Sequence, residues 1–107
     1  MNRIHVALGV VDVSASIADY SRRLGCRPAA VVAGEYALWR TAQVNLSIRR
    51  TSGETGPLRH LGWEDPGAAR FTQETDVNGI VWERFSAELQ NQEIKDVWPG
   101  AWFSEGD

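Results

Sequence analysis

The fold is decided near the start of the chain, by the stretch Ile4-His5-Val6-Ala7-Leu8-Gly9-Val10-Val11-Asp12. Its larger aliphatic residues alternate with smaller or polar ones, which is the pattern of a β-strand with one buried face. His5 lies on the less apolar face of this predicted strand, with Ala7 and Gly9. The chain is therefore expected to open with a strand that carries a histidine on its second face.

A short amphipathic helix is predicted directly after this strand. Asp12 or Ser14 can cap its N-terminus, and Gly25 is suited to the left-handed conformation that ends a helix. Between them, apolar residues recur at helical spacing, namely Val13, Ile17, Tyr20 and Leu24. The first 25 residues thus predict a strand, a capped helix and a stop.

Three further short strands are predicted within residues 28–33, 36–41 and 43–49. The last of these alternates cleanly, with Asn45, Ser47 and Arg49 on its polar face. Residues 1–50 therefore form a predicted βαβββ unit. Residues 51–57 are rich in Ser, Gly, Glu, Thr and Pro, as is typical of a flexible connector.

A second strand headed by histidine is predicted at residues 58–64. His60, Gly62 and Glu64 alternate there with Arg59, so Arg59 is expected on the opposite face from His60. The sequence around His60 weakly repeats the sequence around His5, which suits a fold built by duplicating one unit.

The remainder of the second half is short. A turn or short helix is predicted through residues 65–71, and the Asn-Gly turn at residues 76–79 leads into a last strand that carries Glu83. A helix is predicted over residues 87–97. The aromatic tail, residues 98–103, is expected either to fold back over the sheet or to meet another subunit.

Composition limits the classes of function. The chain has 107 residues, 43% of them hydrophobic and 23% charged, which is ordinary for one globular domain. A net charge of −3 argues against nucleic acid as a partner. No apolar stretch approaches a membrane span and no signal peptide is apparent, so the expected location is the cytoplasm. The single cysteine, Cys26, is interpreted as a small buried hydrophobe.

The order His5, Asp12, Tyr20, Gly25, followed by an Asn-Gly turn and a strand that carries Glu83, resembles the glyoxalase, bleomycin-resistance and extradiol-dioxygenase superfamily, also called the vicinal oxygen chelate superfamily. The resemblance implies an α+β fold, in which the βαβββ unit and a shortened second half form a curved mixed sheet with the helices on its convex face. Residues 1–107 would form this single domain, with 58–107 as the shortened unit. A homodimer is expected, because a short second half leaves the cavity open.

His5, His60 and Glu83 are the candidate metal ligands. Two imidazoles and one carboxylate on adjoining strands can hold a divalent ion and leave positions open for substrate. In the resembled superfamily they match three of four ligand positions. The fourth would lie at Asn45 or Ser47, where this chain has no strong ligand. The candidate ion is Zn, Ni, Mn or Fe. The alternative is a metal-free protein in which each histidine is structural or lies at the surface.

Asn45, Ser47 and Arg49 are the candidate substrate-binding residues, because they share the face of His5 in the predicted sheet. Glu64 is the nearest candidate for a general base, although a glutamate at the end of a strand is usually solvated.

Three functions remain open at this point. The first is a glyoxalase-like, metal-dependent lyase, isomerase, transferase or dioxygenase that acts on a small carbonyl or oxygen-bearing substrate. The second is a metal-free protein that binds a drug-like aromatic molecule, which the five tryptophans would favour. Trp63 and Trp82, however, oppose His60 and Glu83 and are expected in the core. The third is a dimeric structural protein with a vestigial cavity.

Overall fold

The computed structural model describes residues 2–53 and 56–104 as an α+β fold, in which two helices pack on a mixed sheet of eight strands. Residues 54 and 55 of the predicted connector, and residues 1 and 105–107 of the predicted domain, lie outside the described residues. Along the chain the elements are β1 (Arg3–Val10), α1 (Val13–Leu24), β2 (Ala30–Val32), β3 (Tyr36–Arg40), β4 (Val44–Arg50), β5 (Leu58–Glu64), β6 (Thr72–Thr75), β7 (Val81–Phe85), α2 (Ala87–Val97) and β8 (Trp102–Phe103).

Strand β1 lies in the middle of the sheet, whose order is β6-β7-β5-β1-β4-β3-β2-β8. It pairs parallel to β4 and antiparallel to β5, and β5 in turn pairs parallel to β7. In this register His5 lies between Asn45 on β4 and Gly62 on β5, and Gly62 lies beside Glu83 on β7. Residues that lie side by side on neighbouring strands point to the same face, so these four positions share one face of the sheet.

Helix α1 begins and ends as its sequence predicts. The Asp12 side chain accepts a hydrogen bond from the backbone N–H of Ala15 at 2.9 Å, and Gly25 adopts a left-handed φ of 72°. The helix covers the sheet face opposite His5, where a core of Val10, Val13, Ala37, Trp39 and Ile48 is fully buried or nearly so. Period and caps agree here, so the local sequence specifies the element.

Helix α2 covers the other face, and this corrects the expectation that both helices share the convex face. Ile94 packs with Tyr36 and Leu38, and Gln90 contacts Asn45 across the sheet face that carries His5. The physical reason is the polar cluster on this face, which needs a cover able to form hydrogen bonds. Among the described residues, neither helix is both long and apolar enough to cross a membrane.

Two edge strands were not predicted. The four residues of β6, Thr72–Thr75, are all exposed and pair only with β7. Because neither face of β6 is buried, its sequence shows no alternation of apolar and polar residues from which a strand could be predicted.

Residues 65–68 form a turn rather than a helix, closed by a hydrogen bond from the N–H of Ala68 to the carbonyl of Asp65. The aromatic tail folds back, because β8 pairs with β2 at the far edge of the sheet.

Gly62 is required by the close approach of β5 to β7. A Cβ atom at this position would collide with the carbonyl oxygen of Glu83. Because this oxygen belongs to the backbone, it could move only if β7 itself shifted. The glycine therefore permits the close approach of the strand that carries Glu83 to the strand that carries His60.

Replacing this glycine should disturb both the sheet and the position of Glu83. We expect Gly62→Ala to lower the free energy of unfolding by about 1–3 kcal/mol, measured by urea denaturation, because β7 must shift to admit the methyl group. Gly100→Ala is the matched control, since a Cβ atom there meets no neighbouring heavy atom. Equal stability of the two variants would contradict this account of Gly62.

Candidate metal centre

Three side chains from three neighbouring strands converge at one end of the sheet. Nε2 of His5 on β1 lies 2.9 Å from Nε2 of His60 on β5. The same His60 nitrogen lies 3.1 Å from Oε1 of Glu83 on β7. One potential ligand atom from each residue lies within 4.8 Å of the other two. The sheet thus brings together the three residues that the sequence identifies as candidate ligands.

Two of these three separations are close to those of atoms that bind one metal ion. Metal bonds to imidazole nitrogen or carboxylate oxygen are about 2.0–2.2 Å long, so two ligand atoms at the right angles of an octahedral site lie roughly 3 Å apart. The observed spacings of 2.9 Å and 3.1 Å match that value. Two imidazoles and one carboxylate are donors that Zn, Fe and Ni accept. The group of His5, His60 and Glu83 could therefore hold a metal ion.

Asn45 fixes which nitrogen of His5 is available. Its Oδ1 lies 2.8 Å from Nδ1 of His5, while its Nδ2 donates to Oε1 of Glu64 at 2.8 Å. A carboxylate only accepts hydrogen bonds, so the Asn45 amide must point its nitrogen toward Glu64 and its oxygen toward His5. Nδ1 of His5 consequently carries the proton. The lone pair on Nε2 faces His60 and Glu83, as a metal ligand requires.

Glu64 is buried at the base of this network, with only 2% of its surface exposed. Its carboxylate pairs with the guanidinium of Arg3 and, at 2.9 Å, with Nε of Arg40. The expectation of a solvated strand-end glutamate is therefore wrong. With the Asn45 amide also bound, this carboxylate is not free to act as a general base.

The protonation states of the candidate ligands favour a cation. Burial lowers the pKa of His5, an effect that the hydrogen bond with Asn45 only partly offsets, so the imidazole is neutral at pH 7. The hydrogen bond from His60 lowers the pKa of Glu83 despite its partial burial, so the carboxylate is ionised. A neutral imidazole and a charged carboxylate are the forms that bind metal.

A cavity of about 330 Å³ opens beside the three ligands, under helix α2. Of the candidate substrate-binding residues, Ser47 and Arg49 line it. Asn45 is fully buried beneath it, with its amide committed to His5, Glu64 and Gln90. Asn45 therefore does not line the cavity, and it holds the candidate ligand His5 in position through a hydrogen bond. The lining residues that the sequence did not indicate are Tyr36, Arg59, Phe71, Gln90, Glu93, Ile94, Val97 and Trp98.

Arg59 reaches the cavity because β5 is irregular. Ala7 of β1 lies opposite His60, but the next residue, Leu8, lies opposite Leu58, so Arg59 is an extra residue in a β-bulge. Strict alternation placed Arg59 on the other face from His60, and the bulge overturns that expectation. The sequence of β5 does not indicate the bulge, since no glycine lies at or next to Arg59.

A second concavity, about 610 Å³, is lined by β6, Trp63 and Trp82, and the candidate ligand Glu83 also contributes to its lining. The two indole rings are half-buried, with centroids 6.3 Å apart, whereas the sequence places them in the core. They remain partly exposed because α1 covers only the half of the sheet around β3 and β4.

Removing the Asn45 amide should weaken metal binding without touching a ligand. We expect Asn45→Leu to raise the dissociation constant for Zn²⁺ about 10- to 100-fold, measured by calorimetric titration, because the proton on His5 is no longer confined to Nδ1. Gln43→Leu, an exposed position just before β4, is the control. Unchanged zinc affinity in a variant that keeps its circular dichroism spectrum would refute the role assigned to Asn45.

Comparison with known proteins assigns no family to this chain. No protein-family model matches it, and no curated protein matches it either. The resemblance to the glyoxalase superfamily therefore stays a prediction from residues such as His5 and Glu83, and a function for the chain has to be inferred from the side chains that meet at the site.

Proposed function

We propose that this protein is a divalent-metal-dependent enzyme of the glyoxalase type, which acts on a small carbonyl or oxygen-bearing substrate. The observation that carries the proposal is the convergence of His5, His60 and Glu83, with their ligand atoms within 4.8 Å of one another at the wall of a cavity. Zn, Ni, Mn and Fe are all compatible with such donors.

The strand order supports the resemblance on which this proposal partly depends. In the first half, β1, α1, β2, β3 and β4 follow one another, and β1 pairs parallel with β4. In the second half, β5 pairs parallel with β7, and β6 pairs antiparallel with β7. Strands β5 to β7 thus repeat the pattern of the first half with one strand fewer and without a helix after the first strand, while α2 and β8 follow them. This is the shortened βαβββ unit that we propose.

A bound divalent ion supplies Lewis acidity toward an oxygen of the substrate. The chain supplies the rest. Phe71 stacks on Phe85, and the edge of Phe85 packs against the His5 ring, so one side of the imidazole is covered by apolar groups. Glu93 of α2 lines the cavity as a second carboxyl, and burial followed by the charge of Glu83 raises its pKa. We assign Glu93 the role of holding or accepting a proton, which matches a general base poised nearer neutral pH.

Metal content is the measurement that tests the proposal. Protein loaded with Mn, Fe, Co, Ni or Zn and then desalted should retain close to one ion per chain by elemental mass spectrometry, because all three ligands are in place. We expect His60→Ala and Glu83→Ala each to lose that ion while remaining folded. Glu88→Ala, an exposed glutamate on α2, is the control and should keep it. A parent protein that retains no metal, or variants that retain it equally, would exclude this function.

A second candidate function is metal-free binding of a flat aromatic molecule in the larger concavity. The specific observation that favours it is the half-exposed pair of Trp63 and Trp82 lining about 610 Å³ of space. Indole rings stack on aromatic ligands without any chemistry.

If that concavity binds aromatics, 2-naphthol should quench tryptophan fluorescence in a saturable way in the absence of metal. Trp63→Leu should lose most of the quenching, because the substitution removes one of the two indole rings on which the ligand would stack. Trp102→Leu, at an exposed position on β8, should keep it. Quenching that rises linearly without saturation would rule out a binding site there.

A further inference from the structure

Two arginines at the candidate metal cavity have no acidic partner among the residues that the structure describes. Arg49 at the end of β4 and Arg59 in the β5 bulge both line the space that His5, His60 and Glu83 open onto. Within residues 2–53 and 56–104, neither guanidinium lies within ion-pair distance of a carboxylate. By contrast, three of the other arginines are paired: Arg40 with Glu64, Arg50 with Glu35 and Arg84 with Asp65. Arg27 and Arg70 do not line this cavity.

Arg49 is held in place by an aromatic ring. Its guanidinium carbon lies 5.0 Å from the ring centroid of Trp98, which follows α2 and also lines the cavity. Stacking on a ring occupies the flat face of a guanidinium and leaves its N–H groups free at the edge. Arg49 is therefore partly immobilised before any ligand arrives, which lowers the entropic cost of binding.

Arg59 lies close enough to Arg49 for their charges to oppose each other. Both side chains line the candidate metal cavity, and both also line a neighbouring concavity beside Thr51 and Pro57. Two like charges beside one cavity raise the energy of the empty protein, and an anion that bridges them relieves that repulsion.

The overall charge of the cavity also favours an anion once the metal is bound. Its acidic residues are Glu83 and Glu93, and its basic residues are Arg49 and Arg59. Acidic and basic side chains thus line the cavity in equal number. A divalent ion at His5, His60 and Glu83 then leaves two positive charges in excess, which attract an anionic substrate.

We infer that the substrate of this site is a small oxyanion, whose carboxylate or phosphonate group is held by Arg49 and Arg59 beside the metal-ligating residues. The inference rests on the proposed function and names its substrate class. The fork of N–H donors on arginine matches the paired oxygens of a carboxylate or phosphonate. A cavity of about 330 Å³ admits such a molecule at the size of a few linked carbon atoms.

Calorimetric titration of zinc-loaded protein tests this inference. The probes are 2-oxobutanoate, its uncharged methyl ester, and methylphosphonate. We expect the parent to bind at least one of the two anions, and to bind 2-oxobutanoate more tightly than its ester if the site prefers carboxylates. Preference for methylphosphonate would identify a phosphorus oxyanion as the natural group. Arg49→Gln and Arg59→Gln should each weaken anion binding about tenfold, which is the effect of losing one charged hydrogen-bond donor.

Arg50→Gln is the matched control, because Arg50 neighbours Arg49 in sequence but pairs with Glu35 away from the cavity. It should change the affinity less than twofold. The inference is overturned if the parent binds neither anion, if the ester binds as tightly as both anions, or if Arg49→Gln and Arg59→Gln bind like the parent.

Metal content measured on the same samples separates this inference from the proposed function. If parent and variants hold zinc equally and the arginine substitutions leave anion affinity unchanged, the substrate class is wrong and the metal site stands. If the parent holds no zinc, the proposed function fails. The same titration on metal-free protein then decides the arginine site, because loss of anion affinity in both arginine variants supports it and unchanged affinity overturns it.

Discussion

The buried carboxylate of Glu64 is the constraint on which the site depends. A charge with 2% of its surface exposed is tolerated only when it is paired and fully hydrogen-bonded, and here Arg3, Arg40 and the Asn45 amide meet that requirement. Satisfying Glu64 also settles the orientation of Asn45, which in turn settles the tautomer of His5. An ion-pair cluster that touches no substrate thus determines which nitrogen can meet a metal. Within the described residues, every buried side-chain polar atom has a hydrogen-bond partner.

The two faces of the sheet divide the tasks of stability and chemistry. The α1 face is an apolar core built around Trp39, which is stabilised by the burial of apolar surface. The α2 face mixes apolar contacts near Tyr36 with the polar network around Asn45. Apolar side chains pack one part of this face, and polar side chains line the cavity of about 330 Å³ beside it. The absence of a side chain at Gly62 brings β5 and β7 close enough for their ligands to meet.

Much of this arrangement was predictable from short-range patterns. The opening strand, the Asp12 cap, the Gly25 stop and the bounds of α2 are confirmed, because alternation, capping and helical period act locally. The pairing partners of Glu64 were not predictable, since Arg40 and Asn45 reach it only through the sheet register. The bulge at Arg59 and the exposed strand β6 leave no hydrophobic pattern at all. The homodimer expected to close the cavity stays a prediction.

The way α2 closes over Arg40 has a consequence for the order of events during synthesis. Arg40 donates to the carbonyl of Ala87 and to the side chains of Gln90 and Asn91, so residues about fifty positions apart complete one cluster. Ala87, Gln90 and Asn91 follow Arg40 along the chain, so this cluster cannot form before α2 has been synthesised. The surroundings of Glu64, which orient Asn45 and through it His5, are therefore completed only when both halves of the described chain pack together.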